Sequence, residues 1–183
     1  MFIHESYTDS SDGSLQNYDV CLLKAEVPDM FAIGSSLGCG DGCMNSACMP
    51  TAPGQHGDAC WVAGWGTTTS GGSPAAVLQE VGVNLLSDDY CKSNSYANLQ
   101  YMLKPDELCA GQPDLDGDNL TEGGIDSCQG DSGGPLICNV NGLATITGIV
   151  SWGQGCASEG YPGVYGSVYD YKTWIQDKIA QNP

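Results

Sequence analysis

Arginine is absent from this chain, and five lysines face 22 aspartates and glutamates, leaving a formal net charge of −17 over 183 residues. Nucleic-acid binding needs clustered basic side chains to meet phosphates, so that class of partner is excluded. Attraction to an anionic membrane surface is disfavoured for the same reason. Histidine is nearly as scarce, with only His4 and His56, so few candidates exist for a general base. No run of about 18 apolar residues occurs, so no transmembrane helix is expected. No signal peptide is visible, and there is no internal repeat. The acidic excess reads as a solvated surface that keeps the chain dispersed.

Cysteine, by contrast, is plentiful. Ten cysteines fit an oxidising compartment, where small β domains are held by disulfides. The length fits one domain, or two small barrels sharing a cleft. Short strands are expected at Ala59–Trp65, Leu78–Leu86, Gly134–Asn139, Ala144–Trp152 and Gly163–Ser167. Turns rich in Gly, Ser, Asn and Asp separate them, as in an all-β barrel protein. Tyr171–Ala180 has the apolar spacing of a short C-terminal helix, with Trp174, Ile175 and Ile179 on one face. Gly66–Pro74 reads as a polar loop.

The most informative string is Cys128-Gln129-Gly130-Asp131-Ser132-Gly133-Gly134-Pro135-Leu136, with Asp126 just upstream. A serine among glycines suits a nucleophile on a tight turn. Without side-chain bulk, a substrate carbonyl can approach the hydroxyl, and backbone N–H groups can face a developing oxyanion. Gly-x-Ser-x-Gly alone also occurs in α/β-hydrolases, which need alternating strands and helices and a histidine after the serine. No histidine follows Ser132, so that reading fails.

The longer string resembles the nucleophile segment of the chymotrypsin/trypsin-like serine proteases, and the resemblance runs in order along the chain. Asn17-Tyr18-Asp19-Val20-Cys21-Leu22-Leu23 is similar to the segment carrying the triad aspartate. Cys60-Trp61-Val62-Ala63-Gly64-Trp65-Gly66 is similar to the first strand of the second barrel. Leu108-Cys109-Ala110-Gly111 resembles the stretch leading into the primary pocket. Ser151-Trp152-Gly153 and Gly155-Cys156 resemble the strand that pairs with substrate, and Pro162-Gly163-Val164-Tyr165 the pocket's back wall.

The resemblance implies an all-β fold of two six-stranded antiparallel Greek-key barrels, the first incomplete, with a short C-terminal helix. Residues 1–183 would be one partial protease domain. Residues 1–50 would be a remnant of the first barrel and the connection, and 51–183 the second barrel plus helix. The implied activity is that of a secreted serine endopeptidase acting through an acyl-enzyme. Ser132 would be the nucleophile, Asp19 the orienter of a histidine, and the N–H groups of Gly130 and Ser132 the oxyanion hole. Asp126 would lie at the base of the primary pocket and favour Lys or Arg through charge-assisted hydrogen bonds. Ser127 and Gln129 would also contact substrate. Glycines at Gly153 and Gly163 would leave the slot open, and Ser151, Trp152 and Gly153 would hold the peptide by β-pairing. Near-absence of Lys and Arg would then also limit self-digestion.

Family members carry the general-base histidine upstream of the aspartate, and no counterpart is present here. They also need a new N-terminus whose ammonium pairs with the carboxylate before the nucleophile, here Asp131. A serine hydroxyl is barely ionised at neutral pH, and loss of the histidine from such a triad costs on the order of 10⁶ in kcat. The 183 residues alone are therefore expected to be inactive. His4 and His56 read as solvated surface histidines. The rival is a non-catalytic homologue serving as a binding or regulatory module. An incomplete first barrel would bare strand edges and apolar faces, so aggregation is expected of the isolated chain.

Three disulfides are implied by the resemblance: Cys60–Cys138, Cys91–Cys109 and Cys128–Cys156. Cys48 resembles a tether for an activation peptide, Cys39 and Cys43 are spaced for a local bond, and Cys21 is expected to be a buried free thiol. A zinc set of Cys39, Cys43 and Cys48 lacks a fourth ligand. Gln112–Glu122 is an acidic insertion relative to the family. Its Asp114, Asp116 and Asp118 alternate like the start of an EF-hand, but Asn119 and Ile125 stand where that loop needs glycine and an acid. No metal or other cofactor is expected. Asn119-Leu120-Thr121 matches a glycosylation acceptor. Expected partners are peptide or protein substrates with Lys or Arg at the cleaved position, together with protein inhibitors. The complete protein is expected to be a monomer.

Overall fold

The computed structural model describes residues 1–8, 17–25, 46–96 and 102–183. Cys39 and Cys43 lie outside them. The main body is a closed barrel of six strands: β3 (Ala59–Gly64), β4 (Gln79–Leu86), β5 (Glu107–Gly111), β6 (Pro135–Val140), β7 (Leu143–Trp152) and β8 (Gly163–Ser167). Each pairs antiparallel with its neighbours, in the order β3-β4-β5-β8-β7-β6. Alternation makes the barrel fill itself. In β3, Cys60 and Val62 point inward while Ala59 and Trp61 face solvent. They meet Val83, Leu85, Ala110, Leu136, Cys138, Val150 and Tyr165 in one core.

Five of these strands fall where the sequence places them, within a residue or so at each end. β5 was not among them. It is buried along nearly its whole length, as β8 is throughout, so neither carries a period-2 signal. A short helix, Asp88–Ser93, was also not expected. Ser87 caps it, accepting from the Tyr90 N–H at 3.3 Å, and Asp88 and Asp89 sit favourably in its first turn.

The C-terminal helix spans Val168–Gln181 and starts earlier than expected because Ser167 supplies its N-cap, accepting from Asp170 N–H at 3.3 Å. Its packed face is Val168, Tyr171 and Ile175, with Trp174 partly buried. Ile179 leaves that face and is 62% exposed, correcting its expected place in the apolar stripe. The last turn lies past the surface that covers Ile175.

Before the barrel, β1 (Phe2–Ile3) and β2 (Cys21–Leu22) form a two-stranded antiparallel sheet. Val20 packs beneath it on the C-terminal helix with Leu22. Cys21 is exposed and unbonded, not buried as expected, because the register sets it opposite the exposed Ile3 while Leu22 pairs with Phe2. Cys48 is likewise exposed and unbonded. It runs beside β7, with its N–H on Ala144 O at 2.9 Å and its carbonyl accepting from Ile146 at 3.0 Å.

Candidate active site

Ser132 is carried by two successive turns. Asp131 N–H closes the first onto Cys128 O at 3.0 Å, and Gly134 N–H closes the second onto Asp131 O at 2.8 Å. The third residues of these turns are Gly130 and Gly133, with φ of 98° and 78°. A side chain would be strained in that region, so the glycine pattern around the serine is a conformational demand. Hydrogen bonds from Gly133 N–H to Val150 O (2.8 Å) and from Val150 N–H to Gly134 O (2.9 Å) fasten the turns to β7. Ser132 is exposed at their apex. Among the described residues, the amides of Gly130 and Ser132 have no acceptor.

Asp131 points away from that apex. Its carboxylate accepts from Gly66 N–H at 2.9 Å and Cys128 N–H at 3.0 Å. Gln129 is exposed, and its amide oxygen accepts from Thr67 Oγ1 and Gly71 N–H, each at 3.2 Å. It thereby fastens the Gly66–Pro74 loop to the serine segment.

Asp19 occupies the middle of a three-residue turn closed by Val20 N–H on Tyr18 O at 2.8 Å. Its carboxylate accepts from Ser151 Oγ at 2.7 Å. Asp19, Ser132 and Ser151 all line one cavity of 740 Å³, whose other walls include Val20, Ile149 and Val150. The fold thus brings residues far apart in sequence to one space. Neither histidine lines it. His4 is half-buried in an aromatic group, not freely solvated as expected: its ring stacks on Tyr18 at 4.6 Å and lies 5.0 Å from Trp174. Its Nδ1 accepts from Ser6 N–H at 3.2 Å. His56 is exposed against Tyr90, its Nδ1 accepting from Ser87 N–H at 3.3 Å.

Asp126 is half-buried on the segment before the turns. It accepts from its neighbour's Ser127 N–H at 2.7 Å and from Ala157 N–H at 3.2 Å. Burial pushes its carboxyl up to about 6; those amides oppose the shift and the Asp131 charge adds to it. Ser127 Oγ lies 3.3 Å from the Tyr165 hydroxyl, whose own ionisation burial suppresses. Gly163 in β8 passes so close that a Cβ there would stand 2.5 Å from Asp126 Oδ1. The Cys128–Cys156 disulfide joins the two segments that flank this carboxylate, with Cα atoms 5.3 Å apart. A cavity of 220 Å³ beside it is lined by Asp126 and Asp131 together, with Gly64, Gly66 and Ala157. Ser132, Gly153 and Gly163 do not line that space.

Cys60–Cys138 and Cys91–Cys109 form the other two disulfides, one across β3 and β6 and one from the short helix to β5. Ser151 and Trp152 end β7 just after an irregularity in its pairing with β8, and Gly153 is exposed beyond them. Trp152 donates from Nε1 to Glu107 Oε1 at 2.8 Å. Sequence reasoning passed over Glu107; the signal was a lone acid opening the otherwise apolar Glu107-Leu108-Cys109-Ala110-Gly111.

The acidic insertion folds on itself. Glu122 accepts from Leu115 N–H at 2.8 Å and Asp116 N–H at 3.2 Å, and Asp114 from Gly117 N–H at 2.6 Å and Asn119 N–H at 3.0 Å. Asp114, Asp116 and Glu122 come within 4.8 Å of one another, yet these carboxylates already serve the loop's own amides.

Comparison with known proteins shows the family. The family model described as Trypsin matches residues 1–175. Putative trypsin-6 of Homo sapiens is 37% identical over 167 residues, which are 91% of this chain and 58% of that protein. Cationic trypsin-3 of Rattus norvegicus is 41% identical over 140 residues, 76% of this chain and 50% of that protein. The chain therefore spans little more than half the length of these relatives. With its closed six-stranded barrel, its disulfides and the matched residues, the chain belongs to the trypsin family of chymotrypsin-like serine proteases.

Proposed function

We propose that these residues form the nucleophile-bearing and substrate-selecting part of a secreted serine endopeptidase that cleaves after Lys or Arg. The observation that carries this reading is the meeting of Ser132, Asp19 and Ser151 at one cavity. In the reaction, Ser132 Oγ attacks the scissile carbonyl and its proton passes to a base. The oxygen of the tetrahedral adduct becomes an oxyanion facing the Gly130 and Ser132 amides. Collapse expels the amine and leaves a serine ester, which water then hydrolyses. Asp126 holds the cationic side chain before the cleaved bond, with Ser127 as a second polar contact and Gly163 leaving room for the carboxylate itself. Gln129 borders the substrate from the Gly66–Pro74 side, and Ser151, Trp152 and Gly153 pair with its backbone.

Ser132 Oγ needs an imidazole to take its proton, and neither His4 nor His56 lines its cavity. The 183 residues alone are therefore an inactive receptor for basic peptides and for protein inhibitors. That same observation favours a second reading, a non-catalytic homologue that binds such peptides without cutting them. Three disulfides support an extracellular setting.

Titration of benzamidine, a small planar cation, into the chain and into Asp126→Asn tests the selecting pocket. Affinity is expected to fall about tenfold or more in the variant, as for loss of a charge-assisted hydrogen bond. Equal affinity in both proteins would remove Asp126 from the pocket.

A further inference from the structure

We propose that Glu107 is a positioning residue for substrate: it fixes the indole of Trp152 and, with it, the end of the strand along which the peptide lies. The inference rests on the substrate-binding role proposed above for Ser151, Trp152 and Gly153. Glu107 opens β5 and is only 8% exposed. Both of its oxygens are used. Oε1 accepts from Trp152 Nε1 at 2.8 Å, and Oε2 accepts from Lys104 N–H at 2.8 Å. The second bond locks the carboxylate to the turn in which Glu107 N–H also donates to Lys104 O at 3.1 Å. The indole is therefore held by a group that is itself immobilised.

The tie spans a strand. β8 lies between β5 and β7 in the barrel, so Glu107 joins two strands that share no ladder. It does so where β7 is least constrained by its own pairing, at the irregularity between Val150 and Trp152. Behind the ring, Trp152 packs on the cluster of Leu86, Cys91, Leu103, Cys109 and Val164. The indole is thus clamped on its polar edge and supported by that cluster, and the half-buried remainder lies beside exposed Gly153. Ser151, one residue earlier, donates to Asp19, so the same strand end sets both a substrate wall and the aspartate's partner.

A carboxylate is an uneconomical way merely to fill this space. Burying an anion destabilises the fold unless partners compensate, and the ion pairs among the described residues, Lys92–Asp88 and Lys178–Glu5, leave Glu107 out. What the charge adds is a shorter and stronger acceptor for a single N–H than a neutral group provides. That is the property a positioning contact needs.

The test reads the indole first. In the 15N-labelled chain, the Trp152 Nε1–H resonance, assigned by its loss in Trp152→Phe, is expected downfield and slow to exchange. Glu107→Leu should erase that shift and speed exchange by about tenfold or more, as for loss of a buried charged acceptor. Glu107→Gln, uncharged and with a single oxygen to accept from the two N–H groups, should reduce the shift without erasing it. Binding of an arginine-ended tetrapeptide amide should weaken by about tenfold in Glu107→Leu and by less in Glu107→Gln. Benzamidine, which reaches only the pocket, should stay within about twofold in both. Where Glu107→Leu does not fold, Glu107→Met replaces it and is read the same way. An unchanged Trp152 resonance, or equal weakening of both probes, overturns the proposal. Failure of benzamidine to bind the unaltered chain instead removes the underlying Lys/Arg reading and the substrate role with it, while the indole signal still decides whether the tie exists.

Discussion

Asp126 illustrates how one residue couples charge, burial and ligand choice. Its ordinary value of 3.8 is raised to about 6, so the folded chain holds a proton that the unfolded chain releases. The contribution of Asp126 to folding stability therefore declines as pH rises from about 4 to about 6, and Asp126→Asn should remove that contribution from the pH dependence. A cationic ligand acts in the opposite sense, because it needs the carboxylate ionised. Benzamidine affinity should be flat above about pH 7 and fall roughly tenfold per unit below about pH 6. Calorimetric titration from pH 8 to 4 reads it directly; a flat profile throughout would mean that Asp126 does not meet the cation. Ser132's turn geometry was legible in the spacing of Gly130 and Gly133, since only glycine tolerates those dihedrals. Glu107 was not legible as a site residue, because a single charge in a short segment reads as surface until the strands around it are placed. Cys21 and Ile179 were misread for the same reason: which side is covered is decided by neighbours distant in sequence.

At the scale of elements, the candidate site is a junction of loops pinned to a rigid barrel. The serine turns hang from β7 through Val150, and Asp126 is braced by Gly163 of β8 and Ala157. The Cys128–Cys156 bond closes a loop with a sequence separation of 28 and ties the Asp126 segment to the stretch after β7. Replacing both cysteines by serine should destabilise the fold by about 2–5 kcal/mol, because the unfolded chain regains the freedom that the link removes. Thermal unfolding of the double variant checks this. Binding should suffer as well, with benzamidine weakened more than the global loss of folded protein accounts for, since the Asp126 segment is freed relative to Ala157, whose N–H it accepts. A variant that melts normally and binds normally would show that the ladder alone holds the pocket. β3 was legible from alternation; β5, enclosed by β4 and β8, and β8 itself are buried nearly throughout and offered none.

Across the whole molecule, two opposing surface properties govern behaviour. The barrel from β3 to β8 is closed, but Trp65, Val77 and Leu143 stand exposed on it and its connections, and the β1–β2 sheet leaves further apolar groups in the open. Leu23 is 75% exposed and Ile3 51%, and the 740 Å³ cavity has Ile3, Val20, Ile146 and Ile175 in its walls. Such surface favours association of like chains. Against it stands a net charge of −17, which makes approaching copies repel. Repulsion between exposed charges is screened beyond roughly 8 Å at physiological ionic strength, whereas apolar contact is not weakened by salt. The isolated chain should therefore be most dispersed at low salt and neutral pH. It should associate as salt is added, and more steeply as pH approaches the isoelectric point of about 4.1. Light scattering across a grid of pH and sodium chloride resolves the balance. A chain that stays monomeric near pH 4.5 in high salt would mean that the apolar walls are covered by the chain's own residues, and the expectation of aggregation would fall with it.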